Sequence, residues 1–495
     1  MPDASGLAAL ETDLARDFAR LNHPPAAWVP ERAGPDDRPM ADVAIVGAGM
    51  CGLAAAFALR RLGIARIRHL DRCEAGYEGP WLTYARMRTL RSPKHLTGPA
   101  LGLANLTFRA WWEAQHGTEA WGRLDRIPRP VWMDYLRWYR RVTGAEVANR
   151  IEIVDIRPGR DGAALSLRQP DGAVETLFAR HVVLATGREG QARARVPRAL
   201  MPFLGSLVRH SSDDIDFAAL KGRRVAVIGL AASAIDNAAT ALEAGAADVV
   251  LIGRAPALPR LNKMKQTVYP GFTHGFPALP DAEKLRFLKH IMDQRIAPPR
   301  GSVLRISADP RLRLLLGATV TGAERTSGGE GLRLKTAAGI VEADLVILGT
   351  GFAIDLGAPP ELAGIASHIL RWRDRVARER EGADGGTGGG TGGNEWLKFP
   401  YLGPGFEFQE RETGVLPGLD RIRCFTQSAQ LSLGNLANDI PAVGEGSQRL
   451  AEAIARSLFV EDRGLHWGRL IHYDEPELLG DEWPGLTRWE PPLGG

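Results

Sequence analysis

Residues 43–52 read VAIVGAGMCG, a short apolar run that breaks into Gly47-x-Gly49-x-x-Gly52. Asp42–Gly47 is predicted to be a buried strand and Leu53–Leu62 a helix, so the glycines fall at a strand-to-helix turn. Each glycine answers a separate demand. Gly47 permits the tight turn, Gly49 lets backbone approach a pyrophosphate, and Gly52 lets helix and strand pack closely. The helix then presents free N–H groups and its positive dipole end to phosphate. Arg66–Leu70 is predicted to be the next strand and ends in Asp71, 24 positions after Gly47, where a carboxylate accepts both hydroxyls of a ribose. Cys51, inside the motif, reads as a small packing residue.

The same grammar recurs at 225–234, VAVIGLAASA. Gly229 keeps the turn, but Ala231 takes the second glycine position and Ala234 the third, so a methyl holds the pyrophosphate farther off. The following apolar run, Val249–Gly253, ends in Arg254, 25 positions after Gly229. A cation there suits the 2′-phosphate of NADP, which a carboxylate would repel. Arg260, Lys263 and Lys265 add positive charge, or form a solvated basic loop. One module acidic at the ribose and one basic imply FAD first and NADPH second.

Two further apolar runs end in small-residue turns, Val182–Gly187 and Leu345–Gly351. The order of elements predicts an α/β protein with two dinucleotide-binding, Rossmann-like domains, the FAD domain split in sequence by the inserted NADPH domain. The expected layout opens with a helical extension (1–40) and a first FAD-domain segment (41–217). The NADPH domain (218–325), a second FAD-domain segment (326–462) and a tail (463–495) follow. A low-complexity stretch, GGTGGGTGG at 385–393, is expected to be a mobile loop or, less simply, a lid.

Composition narrows the function. Against 62 Lys plus Arg stand 58 Asp plus Glu among 495 residues, a net charge of +4 too small for a nucleic-acid-binding surface. No apolar run is long enough to cross a bilayer, and the N-terminus lacks a secretion signal, which places the chain in the cytoplasm. Three scattered cysteines form no CxxC pair, against a thiol–disulfide reductase, and no metal-ligating cluster is present. Trp111, Trp112, Trp132, Tyr135, Trp138 and Tyr139 fall at helical spacing and read chiefly as core.

Beyond the glycines, three features carry a family resemblance. Gly79-Pro80-Trp81 looks like a G-x-W after the second strand, and Gly229-x-x-x-Ser233-Ala234 like an NADPH motif. Ala185-Thr186-Gly187 and Gly349-Thr350-Gly351 look like paired ATG turns. In these the chain resembles the class B flavoprotein monooxygenases, which include flavin-containing, N-hydroxylating and Baeyer–Villiger enzymes. The resemblance implies FAD reduction by NADPH and transfer of one oxygen atom of O₂ through a C4a-(hydro)peroxyflavin. The expected substrate is a small nucleophilic nitrogen or sulfur compound, including amines or amino acids for N-hydroxylation. Ketone oxygenation or an NADPH-dependent flavin reductase feeding a partner are the alternatives. Phe203, Gly205 and His210 resemble the family's F-x-G-x-x-x-H with the histidine one residue late. The Trp-Pro of the Baeyer–Villiger version is missing.

Two residues are expected to be catalytic, Arg91 and His210. Arg91 stands where flavin-containing relatives carry an asparagine near the flavin, within the cationic run Arg86-Met87-Arg88-Thr89-Leu90-Arg91. It is expected to donate to a flavin peroxide or to a substrate carboxylate; flavin phosphate or solvent are the other readings. His210 is either catalytic or a satisfied linker histidine. Cation density mildly favours an acidic substrate. Asp439, ahead of Pro441 and a helix through Phe459, is expected at the flavin's pyrimidine end. Lys398–Pro404 is a candidate pocket border. Partners are O₂ and a small molecule, with a homo-oligomer left open.

Overall fold

A computed structural model describes residues 3–382, 395–437, 439–479, 481–483 and 485; the glycine-rich stretch 385–393 lies outside them. Strand Met40–Val46 is buried at every position, as a parallel strand covered on both faces must be. It pairs in parallel with Ile67–Leu70 on one side and with Val174–Leu184 on the other. Val147–Ala148 adds beyond Ile67–Leu70. The long strand Val174–Leu184 serves two neighbours. Its first half pairs antiparallel with Gly162–Arg168, and its last residues pair in parallel with Ile422–Cys424. Helix Met50–Arg61, buried from Met50 to Leu59, packs against helix Val443–Glu461.

The second sheet is wholly parallel, in the order Leu312–Leu316, Asp248–Gly253, Arg224–Ile228, Leu345–Leu348, Val208–His210. It therefore reaches beyond the expected 218–325 on both sides, since its last two strands come from 208–210 and 345–348. An apolar run announces a strand but not the sheet that the strand joins. As in the first sheet, a small antiparallel meander (Val320–Arg325, Leu332–Thr336, Gly339–Ala343) precedes the strand that ends in a small-residue turn.

Two crossings join the modules. Ala192–Ala194 and Phe352–Ile354 run antiparallel as a two-stranded ribbon directly after the turns at Gly187 and Gly351. A helical patch with Phe272 and Phe276 packs on Trp372, Phe399 and Leu431. Lys398–Pro404 belongs to this contact: the Tyr401 hydroxyl donates to Asp281 Oδ2 at 3.0 Å.

Helices Phe108–Arg123 and Arg129–Val142 bury Trp111, Trp132, Tyr135, Trp138 and Tyr139 in the first module's core. Helix Ala4–Arg20, capped by Asp3, lies against the first of these. Within the expected tail stands helix Arg463–Ile471. Among the described residues no helix is long and apolar enough to cross a membrane.

Candidate functional site

At the first loop, Gly47 takes φ +100°, and a Cβ there would lie 2.5 Å from the Ala185 carbonyl oxygen. A Cβ on Gly52 would fall 1.8 Å from the Gly47 oxygen. Gly49 differs: its nearest neighbour would be Gly79 Cα at 3.8 Å, leaving space beside the loop that protein does not fill. His69 supports the turn from behind, with Nε2 3.0 Å from the Gly47 oxygen. Burial lowers its pKa to about 4, so the ring is neutral and Nε2–H donates. Asp71 Oδ2 accepts from Ala48 N at 2.6 Å and Oδ1 from Cys73 N at 2.7 Å, which fixes the carboxylate at the loop's mouth.

Asp3 and Thr107 cap helices Ala4–Arg20 and Phe108–Arg123 through side-chain oxygens. Helices Met50–Arg61, Ala232–Glu243 and Val443–Glu461 have no side-chain cap. Their first N–H groups are left for another acceptor. Helices Arg129–Val142, Asp281–Asp293 and Arg463–Ile471 also lack a side-chain cap; what distinguishes Met50–Arg61 and Ala232–Glu243 is that they follow glycine turns, where free N–H groups fit dinucleotide phosphates.

At the second loop, a Cβ on Gly229 would lie 2.4 Å from the Gly349 oxygen, and one on Gly349 2.5 Å from Ala234 Cα. Ala234 thus seals the contact between helix and turn. Ser233 stands in the helix's first turn, and Lys263 opens a short helical turn, Lys263–Thr267. Arg254 follows strand Asp248–Gly253 with an exposed side chain and no ion pair among the described residues.

The two expected catalytic residues both have partners within the protein. Arg91 Nη2 lies 3.3 Å from Asp236 Oδ2, on the second module's helix, and Arg305 approaches the same carboxylate at 3.2 Å. Arg88 pairs with Glu243 at 2.8 Å, and Arg86 lies over the Phe217 ring at 5.1 Å. The cationic run is a clasp between modules. Asp236 is almost fully buried, so it needs these cations, while the Arg91 side chain stays about half exposed (47%).

His210 is buried in an edge strand, with Nε2 3.1 Å from the Gly351 oxygen and Nδ1 2.7 Å from Ser212 Oγ. Burial lowers its pKa. Both ring nitrogens are occupied, so it is a satisfied histidine behind the linker turn.

What the clasp leaves over is Arg188, which no motif marked. It follows Gly187, whose φ is +72°, at the end of strand Val174–Leu184. Its side chain is exposed. Burial, then repulsion by Arg91, lowers its pKa, while Tyr84 and Asp439 oppose the shift. Asp439, four positions ahead of the uncapped helix Val443–Glu461, is pushed up to about 6 by burial, against the pull of Arg188. Nearby, Thr186 Oγ1, Gln191 Nε2 and Gln427 Oε1 are buried without a hydrogen-bond partner. Trp81 is half-buried, edge-on to Trp132 at 6.3 Å.

A FAD-NAD(P)-binding family model matches residues 44–189, and an L-lysine 6-monooxygenase/L-ornithine 5-monooxygenase model matches residues 123–354. The chain is 38% identical over 483 residues to the FAD-dependent urate hydroxylase of Xanthomonas campestris, covering 97% of this chain and 99% of that protein. The chain belongs to this family of FAD-dependent hydroxylases. Among solved structures, the ornithine N-hydroxylase of Kutzneria sp. 744 superposes with TM-score 0.63 at 20% identity, over 85% of this chain and 100% of that one. The L-lysine 6-monooxygenase of Pseudomonas syringae gives 0.62 at 19%, over 84% and 99%. These two likenesses extend the shared fold to N-hydroxylating enzymes. The hydroxylase is a flavoprotein monooxygenase, with FAD and NADPH as its cofactors.

Proposed function

We propose that the enzyme hydroxylates urate, using FAD held by the first module and NADPH held by the second. The observation that carries this reading is the likeness to a urate hydroxylase across nearly the whole chain, both nucleotide loops included. The exposed cation Arg188, directly after the Ala185-Thr186-Gly187 turn, fits such a substrate, because urate is a planar acid with an electron-rich carbon–carbon double bond. When bound, FAD accepts a hydride from NADPH and activates O₂ for transfer of one oxygen atom.

The chain's own residues supply placement. Gly47, Gly49, Gly52 and the helix start at Met50 take the FAD pyrophosphate, and Asp71 takes the adenosine ribose. Trp81, Gly187 and Gly351 border the flavin, and Asp439 with the start of helix Val443–Glu461 faces its pyrimidine end. Gly229, Ser233 and Ala234 hold the NADPH pyrophosphate, with Arg254 and Lys263 at its 2′-phosphate.

Arg254→Ala is expected to raise the KM for NADPH about 10- to 100-fold and leave that for NADH unchanged, the loss of charged hydrogen bonds to one phosphate. Steady-state kinetics with both nucleotides checks it. Equal losses for both would remove Arg254 from the 2′-phosphate.

A second reading rests on the pair Arg188 and Asp439. A cation and a carboxylate beside one cleft suit an amino acid zwitterion, whose amine would then be N-hydroxylated. NADPH consumption stimulated by ornithine or lysine, and not by urate, would select it. Either substrate is a small molecule that meets O₂ in the cytoplasm.

A further inference from the structure

We infer that helix Arg463–Ile471 and the segment 473–479 that follows it form a surface for a second copy of this chain. The basic helix of one copy lies against the acidic segment of the other, and the reverse.

The chain itself leaves an apolar face bare here. Trp467, Leu470 and Ile471 stand at i, i+3 and i+4, on one side of the helix, and are 63%, 67% and 57% exposed. The helix is nevertheless held in place. Asp462, which precedes it, is buried and bound by Arg180 at 2.7 Å and by Arg32 at 2.5 Å. His466 stacks on Phe459 with ring centres 4.7 Å apart and lies 5.7 Å from Trp28 of the first module. Leu465 widens the stripe, as do Phe459 and Val460 at the end of the preceding helix, each about half exposed. The segment adds Tyr473, Leu478 and Leu479, exposed further still.

Area points to a stable partner. At roughly 100 Å² for each such side chain, helix and segment together show about 900 Å² of apolar surface. An ordinary monomer's largest apolar patch is about 300–600 Å², whereas each partner in a stable interface contributes about 800 Å².

Charge then names the partner. Positions 463–472 carry Arg463, His466, Arg469 and His472 and no acid, while 473–479 carry Asp474, Glu475 and Glu477 and no base. Arg469, Asp474 and Glu477 have no ion pair among the described residues. Each copy thus presents an apolar, basic element beside an apolar, acidic one, and the two do not pair within the chain. A twofold axis that sets helix against the partner's segment satisfies both elements at once. An anionic membrane would attract the helix and repel the segment.

Sedimentation velocity of the holoenzyme, at micromolar to submillimolar concentration, tests the pairing. The wild type is expected to be a dimer. W467E combined with L470E is expected to be a monomer with unchanged flavin per chain and melting temperature, because both side chains already face solvent in the single copy. R469E, and separately D474R combined with E477R, are each expected to weaken the dimer about 10- to 100-fold, since like charges then meet twice across the axis. Mixing these two charge variants is expected to restore wild-type affinity. The mixed pair regains opposite charge at one contact and keeps it at the other. The charge variants alter only exposed side chains, so they decide the question even where the apolar variant does not fold. A monomeric wild type would overturn the interface, and flotation of that monomer with anionic vesicles would give the face to a membrane. A dimer that W467E with L470E leaves intact would place the interface elsewhere. A mixture of the charge variants that stays monomeric would overturn the pairing of helix with segment.

Discussion

Gly49→Ala is expected to give a folded protein that has lost its flavin. The position has φ −68°, which alanine adopts freely, and the new methyl would find no protein atom nearer than 3.8 Å. Nothing in the protein resists the change, so the methyl falls in the space reserved for a pyrophosphate and displaces its backbone hydrogen bonds. Losing two or three bonds to a charged group weakens FAD binding on the order of 100-fold or more.

Gly52→Ala provides the contrast. Its methyl would strike the Gly47 oxygen and lie 2.9 Å from His69 Nε2, so it damages the fold itself. Flavin absorbance per protein, read beside far-UV circular dichroism melting, distinguishes them: G49A colourless with wild-type melting, G52A colourless with lowered melting. A yellow G49A would contradict the first loop's assignment. The second module carries such a methyl naturally at Ala231, consistent with a nucleotide that must leave after each turnover rather than stay.

Acidification between pH 6.5 and 4 is expected to destabilise the protein, the two buried histidines together outweighing Asp439, whose raised pKa of about 6 acts in the opposite sense. Burial lowers both His69 and His181 from 6.5 to about 4. In that window the unfolded chain binds protons that the folded chain refuses, so stability falls as pH falls. The slope approaches about 1.4 kcal/mol per pH unit for each histidine.

A second loss follows at lower pH. Arg180 bridges Glu461 at 2.8 Å and Asp462 at 2.7 Å, with Arg32 on Asp462 and Arg421 on Glu461. Burial alone would raise both carboxyls, but His181, Arg180 and Arg421 hold Glu461 well below its ordinary value, and Arg180 and Arg32 hold Asp462 below its own. That contribution is present above their unfolded pKa values and is lost as pH drops below them. Urea unfolding at several pH values checks the order. A flat profile from pH 6.5 to 4.5 that stays flat in Asp439→Asn would mean that the two histidines are protonated in the folded protein.

The turns and strand ends proposed to hold the nucleotides are legible in the sequence because they are local. The Gly47–Gly52 turn, Asp71 one strand later, Arg254 after the equivalent strand and the helix beyond Pro441 all sit at fixed distances along the chain. The fate of Arg91 is not local: its partner Asp236 lies 145 residues away, and only the docking of the two modules brings them together. His210 carries a fragment of a family pattern, yet an edge strand behind the linker turn consumes both of its ring nitrogens. Arg188 shows the converse. A lone arginine after a turn has no spacing to betray it, although the crevice beyond the carboxyl ends of parallel strands is where such folds bind ligands. A cation directly after the Ala185-Thr186-Gly187 turn was the available signal. Strands Val208–His210 and Leu345–Leu348 were equally ambiguous, since pairing is decided by neighbours.

Turnover of urate with NADPH under ¹⁸O₂ tests the assigned chemistry most directly, with mass spectrometry of the first-formed product and parallel measurement of NADPH consumed. Hydroxylation at the junction between the modules predicts one ¹⁸O atom in the product for each NADPH oxidised. Oxidation of NADPH that yields only hydrogen peroxide, with urate recovered unlabelled and unchanged, would contradict it.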